Sequence, residues 1–156
     1  MLNISKMRVA LYEPDIPQNT GNIFRLGSCL DIEIDIIGPT GYILDDKKFK
    51  RSGLDYIKYT KYKKHIDWEY FYKWSKLNKF RLILFTTKTN KSFYKFNFSK
   101  KDILIFGSES SGVPKFVHDQ VDQRLTIKMK KGLRSLNVSS AVSMVVGEAK
   151  RQINLL

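Results

Sequence analysis

Asp102-Ile103-Leu104-Ile105-Phe106-Gly107-Ser108-Glu109-Ser110-Ser111-Gly112-Val113-Pro114 is the stretch that decides the fold. Asp102–Phe106 predicts a buried strand. The chain then turns abruptly small and polar, and Pro114 suits the first turn of a helix running through Val121. The two glycines of the turn permit backbone angles that other residues resist and let a ligand approach closely. Two other segments break in the same way: Glu13-Pro14-Asp15-Ile16-Pro17-Gln18-Asn19-Thr20-Gly21-Asn22, and Gly132-Leu133-Arg134-Ser135-Leu136-Asn137. Ligands of open α/β sheets sit beyond the carboxyl ends of the strands, where such loops gather, so the three segments predict one composite site.

Outward from these turns, strands are expected over Met7–Tyr12, Ile32–Ile37, Asp55–Thr60, Phe80–Phe85 and Arg124–Ile127. Helices are expected after an Asn19 or Thr20 cap through Leu30, over Asp45–Arg51, over Asp67–Leu77 and over Leu136–Leu155. Thr86–Lys101 is the longest irregular segment and the place where mobility is expected. Alternating strands and helices predict an α/β fold, a mostly parallel sheet with helices on both faces, in one domain spanning 1–156. The terminal helix has a wide apolar surface, which serves either as a homodimer seam or as a fully buried core helix.

With 156 residues, 42% of them hydrophobic, the chain is long enough and apolar enough for one ordinary core. No apolar run reaches the roughly 18 residues that would span a membrane. A single cysteine, Cys29, forms no internal disulfide, and a reducing, cytoplasmic location is the default. Lys and Arg total 28 against 15 acids, a formal charge of +13, which favours a polyanionic partner. The basic residues cluster from Lys47 to Lys64 and from Arg124 to Arg134. Tyr56, Tyr59, Tyr62, Trp68, Tyr70 and Tyr72 lie in or just after the first cluster, where aromatics are placed to stack unpaired RNA bases.

Several chemistries fail on spacing. Gly107 to Gly112 has the spacing of a phosphate loop, but Val113 and Pro114 stand where Lys and Ser/Thr are required. No serine has the spacing of a nucleophile elbow. One cysteine and two distant histidines, His65 and His118, make no zinc pattern, and both histidines read as surface residues. No dinucleotide fingerprint follows the first strand. Polar, glycine-bearing loops with few conventional catalysts suit a reaction whose reactive group arrives on a cofactor, such as methyl transfer from a sulfonium.

Taken together, the three segments resemble the three motifs of the SPOUT superfamily of RNA methyltransferases. The first is Glu13-Pro14 … Ile16-Pro17 … Asn19-Thr20-Gly21-Asn22-Ile23 … Arg25. The second is Phe106 to Pro114, and the third runs from Arg134 to Val142. Glu148 and Arg151-Gln152 extend the match. Within the superfamily the chain is similar to the small single-domain TrmL (YibK-like) group, through Asp45-Asp46-Lys47 … Arg51-Ser52-Gly53-Leu54-Asp55-Tyr56. That resemblance implies a tRNA (cytidine/uridine) 2′-O-methyltransferase acting on the wobble nucleotide of leucine tRNAs, with the anticodon stem-loop as its docking partner. It also implies a C-terminal trefoil knot, bound S-adenosyl-L-methionine, a homodimer and no metal. Periodicity alone gives no knot, since chains do not ordinarily thread loops.

The resemblance further implies roles. Phe85, Gly107, Ile127 and Ser135 match donor-binding positions, and Met129, Gly132 and Leu133 add backbone contacts from the third loop. Arg25 matches the catalytic arginine. A guanidinium stays protonated, so it suits an electrostatic partner of the 2′-oxyanion or of a phosphate better than a base. Asn19 orients Arg25 or its loop, or else caps a helix. Glu109 anchors its loop or contacts Arg25. Ser135 and Asn137 bond the ribose or hold loop geometry. The rival readings are a non-catalytic RNA-binding or ribosome-assembly protein that retains the fold, and a methyltransferase of another RNA.

Overall fold

The computed structural model describes residues 6–44 and 56–153. The expected Asp45–Arg51 helix and the last residues of the terminal helix lie outside them. Among the described residues, six strands form one parallel sheet in the order β3-β2-β1-β5-β4-β6. These are β1 (Arg8–Tyr12), β2 (Glu33–Ile37), β3 (Tyr62–His65), β4 (Arg81–Phe85), β5 (Asp102–Phe106) and β6 (Gln123–Leu125). The helices are α1 (Pro17–Leu30), α2 (Trp68–Leu77), α3 (Lys115–Gln120) and α4 (Val138–Ile153).

Successive strand side chains point to opposite faces. Val9 and Leu11 of β1 join Ile34, Ile36, Leu104 and Phe106 against Ile23 and Phe24 of α1 and Val142, Val145 and Val146 of α4. Ala10 and Tyr12 join Ile37, Leu82, Leu84, Ile103 and Ile105 against Trp68 and Phe71 of α2 and Val117 of α3. Both faces of the sheet are therefore covered, as parallel sheets require. On α4, Val142, Val145, Val146 and Ala149 are buried, whereas Ser143, Met144 and Gly147 are exposed. The helix is thus not a fully buried core helix.

Three expectations change. Residues 56–60 form a turn instead of a strand: the backbone N–H groups of Tyr59 and Thr60 both donate to the Tyr56 carbonyl, at 3.0 and 2.9 Å. The third strand is Tyr62-Lys63-Lys64-His65, which lies at the sheet edge. Its exposed lysines are the charged guard that edge strands carry, and they hide its strand character from a hydrophobicity reading. Thr86–Lys101 is irregular, with only the short 3-10 turn Phe93–Lys95, yet it is anchored: Phe93, Phe96 and Phe98 are all buried. Gln152 of α4 fastens it further, accepting from the Phe98 N–H at 2.9 Å and donating to the Phe96 carbonyl at 3.0 Å.

Neither histidine is a surface residue. His65 Nε2 lies 2.8 Å from Asp35 Oδ1, and Arg8 Nε donates to Asp35 Oδ2 at 2.6 Å. The Trp74 ring packs beside this group, 4.9 Å from the imidazole and 5.2 Å from the guanidinium. Asp35 is fully buried, and its partners satisfy the charge that burial would otherwise make costly.

Candidate active site

In the strand order, neighbours of β1 diverge: the chain proceeds to β2 on one side and β5 lies on the other. A crevice opens at the carboxyl ends beside such a switch point. Here it is a cleft of about 550 Å³ bounded by the loops after β4, β5 and β6 and by the first turn of α1. Phe85 and Phe106 are register partners at the ends of β4 and β5, and their rings stack at 4.9 Å with an 8° tilt. With Ile127 and Val113 they give the cleft apolar surface suited to a flat ring.

The loop after β5 closes on itself. Ser108 and Gly112 exchange two backbone hydrogen bonds, at 3.0 and 2.8 Å. Gly112 has φ +66°, and a Cβ on Gly107 would fall 2.7 Å from the Gly112 carbonyl carbon. Only glycine fits at position 107.

A thread of side chains then joins the three loops. Glu109 accepts from the Asp15 N–H at 3.0 Å and from Asn19 Nδ2 at 3.3 Å. Asn19 Oδ1 in turn accepts from Asn137 Nδ2 at 2.9 Å. Asn137 Oδ1 accepts from the Ser139 and Ser140 N–H groups at 2.9 and 3.3 Å, so the same amide caps the first turn of α4. Neither Asn19 nor Thr20 caps α1: the helix starts at Pro17 with Ile16 in the cap position and no side-chain cap. Asn19 is thereby free to spend its amide on Glu109 and Asn137.

Burial pushes the Glu109 carboxyl up, reinforced by Asp15. Asp15 is held below the usual carboxylate range, first by its hydrogen bond with Glu109, with Ser110 and Ser108 adding to it against burial. Two carboxyls this close do not both ionise readily, and Glu109 is the one that keeps its proton longer. On the opposite wall, burial and the charges of Lys88 and Arg124 push His118 down, which leaves the imidazole neutral at neutral pH.

The cleft gathers eight of the expected residues: Asn19, Phe85, Gly107, Glu109, Ile127, Met129, Ser135 and Asn137. Gly132 and Leu133 stand outside its wall, on the exposed turn where the Leu133 N–H donates to the Lys130 carbonyl at 3.2 Å. Arg25 also stands outside it; its guanidinium lies 4.9 Å from the centre of the Tyr56 ring. Thr86, Thr87, Lys88 and His118 line the cleft without having been anticipated. The first three follow β4 directly, so the rule that picked the other loops also points to them. His118 carries no such local signal, because its placement depends on how α3 packs.

The family model of the SpoU rRNA Methylase family matches residues 6–147. The chain belongs to the SpoU methylase family. A tRNA (cytidine(34)-2′-O)-methyltransferase of Beijerinckia indica is 43% identical over 148 residues, 95% of this chain and 92% of that protein. A solved structure described as giving structural insights into the 2-OH methylation of C/U34 on tRNA is 34% identical, with TM-score 0.85 over 96% of this chain and 97% of that one. An AdoMet-bound rRNA methyltransferase from Sinorhizobium meliloti shares the fold at 20% identity, with TM-score 0.87 over 96% of this chain and 57% of that one. As a SpoU methylase family member the chain is a methyltransferase. Among the described residues no helix is long and apolar enough to cross a membrane, and no group of three or more His, Cys, Asp or Glu is placed to hold a metal ion.

Proposed function

We propose that this protein transfers a methyl group from S-adenosyl-L-methionine to the ribose 2′-hydroxyl of nucleotide 34, cytidine or uridine, of leucine tRNAs. The observation that carries the reading is the Glu109–Asn19–Asn137 thread, which ties all three motif loops to one cleft. The relative from Beijerinckia indica, similar along almost its whole length, supports position 34 and the tRNA substrate.

The cleft fits the donor on its own chemistry. Phe85, Phe106 and Ile127 supply an apolar berth for an adenine, and Gly107, which lets the loop after β5 close on Gly112, lines the same cleft. Ser135 and Met129 complete the wall, and Gly132 and Leu133 belong to the loop that would fold over it. When bound, the donor supplies an electrophilic methyl on a sulfonium. The residues' task is orientation, exclusion of water and stabilisation of charge as the 2′-hydroxyl loses its proton. Arg25, a permanent cation, is the group suited to the developing oxyanion or the neighbouring phosphate. Asn19, Glu109 and Asn137 hold the loops, and in this reading they also meet the ribose.

The same reading includes a trefoil knot in the carboxy-terminal segment, a homodimer built on the exposed side of α4, an anticodon stem-loop as the docked RNA element and a cytoplasmic location. The exposed Met144 on α4 supports the dimer seam. Calorimetry with S-adenosylmethionine and its demethylated product, together with mapping of 2′-O-methylated nucleotides in tRNA from cells with and without the protein, tests the reading. Donor binding and loss of one methyl at nucleotide 34 are expected. A protein that ignores both ligands, or tRNA whose methylation does not change, overturns it.

A further inference from the structure

The turn that replaces the expected third strand is fixed to α1. Thr60 Oγ1 lies 3.0 Å from the Phe24 carbonyl and 2.7 Å from Ser28 Oγ, and Ser28 Oγ reaches the Tyr56 carbonyl at 3.4 Å. Thr60 is buried, and Tyr62, just beyond, packs its ring 5.0 Å from Phe24. This anchored turn carries two tyrosines outward. Tyr56 and Tyr59 meet edge to face at 6.4 Å, and Tyr59 is 65% exposed. A cation sits on each ring: the Arg25 guanidinium 4.9 Å from Tyr56 and the Lys58 ammonium 5.0 Å from Tyr59.

The result is a surface ladder in the order Arg25, Tyr56, Tyr59, Lys58. Core packing gives no reason for it: Thr60 and Tyr62 secure the turn from beneath, and Tyr59 contributes its ring to solvent. Rigid exposed aromatics between cations are the elements that bind unpaired nucleotides, the rings stacking bases and the cations meeting phosphates. The formal +13 of the chain favours the same partner. Arg25 lies on α1 six residues after Asn19, about 9 Å along the helix from the turn that lines the cleft. RNA held on the ladder therefore arrives beside both.

We propose that Tyr56 and Tyr59, flanked by Arg25 and Lys58, are a stacking platform for an unpaired base of the substrate RNA, resting on the tRNA methyltransferase reading above. Tyr59 takes the base on its open face. Lys58 exchanges the tyrosine ring for a backbone phosphate.

The test uses the full chain, an anticodon stem-loop RNA and the variants Tyr59→Ala and Tyr59→Phe. Tyr59→Ala is expected to weaken RNA binding by about tenfold with an unchanged salt slope, since a lost stack removes no phosphate contact. Tyr59→Phe, which keeps the ring, is expected to bind as the parent does, and both variants should keep the parent's S-adenosylmethionine affinity. Replacing one loop nucleotide by an abasic residue should erase the difference between parent and Tyr59→Ala. Parent-like RNA affinity in Tyr59→Ala, or a difference that survives every abasic substitution, overturns the platform. Failure of the underlying reading would look different: the unmodified protein itself would leave tRNA unmethylated.

Discussion

Asn137 donates its side-chain amide to Asn19 across 118 residues of sequence, at 2.9 Å. The same side chain caps α4 through its oxygen, so one amide joins the start of the last helix to the start of the first. Its two ends do separable work. Asn137→Asp keeps an oxygen for the cap and loses the donor to Asn19; Asn137→Ala loses both. Both variants lose the bond to Asn19, and the alanine variant should lose about 1 kcal/mol of stability beyond the aspartate variant, the usual worth of a cap. Both should bind the methyl donor more weakly. Thermal unfolding and donor calorimetry on the pair of variants check this.

The Asp15–Glu109 pair makes stability depend on pH in a stated direction. Glu109 titrates above its ordinary value in the fold, so its contribution is present at low pH and is lost as pH rises through that raised value. Asp15 titrates below its ordinary value, so its contribution is present above the normal aspartate range and is lost as pH falls through the lowered value. The pair therefore favours a mildly acidic window. Glu109→Gln, which cannot ionise, should flatten the decline on the alkaline side. Melting temperature followed from acidic to neutral pH in both proteins measures it; parallel curves would remove the pair as its cause.

Gly107→Ala places a methyl group against the Gly112 backbone, 2.7 Å from its carbonyl carbon. The neighbour is main chain and has no flexible end to move aside. A cost of roughly 1–3 kcal/mol in stability is expected, from overpacking. Donor affinity should fall by at least about tenfold, since the displaced loop forms the cleft wall. Chemical denaturation and calorimetry separate the two losses.

Arg25→Ala should leave the fold and donor affinity unchanged while lowering methyl transfer by about 10²–10³-fold, the range for removing one stabiliser of a developing oxyanion. Single-turnover methylation with saturating RNA isolates this effect from weaker docking. Full activity in the variant would take Arg25 out of the reaction.

Asp35→Ala strips the shared partner from Arg8 and His65 on the sheet face away from α1 and α4, leaving Arg8 with Glu33 alone. Breaking a buried ion pair costs about 3–5 kcal/mol. Denaturant unfolding should show that loss, and donor affinity of the folded fraction should stay unchanged.

The strands that carry the site were legible because they are buried on both faces. Continuous apolar runs such as Ile103–Phe106 and Leu82–Phe85 admit few other readings, and the small polar loops after them mark the cleft. Where the structure departs from the sequence reading, a long-range contact decides. Tyr62–His65 becomes a strand because β2 offers it a partner, not because its residues favour burial. Thr86–Lys101 looks loose in one dimension, and only packing shows Phe93, Phe96 and Phe98 turned into the core. The cleft's own surprises follow the same logic. Asn19 reads as a cap until Pro17 is seen to begin the helix, and His118 reads as surface until α3 buries it within the field of Lys88 and Arg124.

The bond between Asn19 and Asn137 also bears on how the protein is made. The chain leaves the ribosome from its amino end, and β1 and α1 emerge long before Asn137 does. A nascent chain can pair β1 with β2 early, but its catalytic hollow has no third wall until the closing helix is translated. Premature termination before residue 137 should therefore yield a fragment that lacks the core contribution of α4 and has no grip on the methyl donor, so a truncated product would be inert instead of a source of stray methylation.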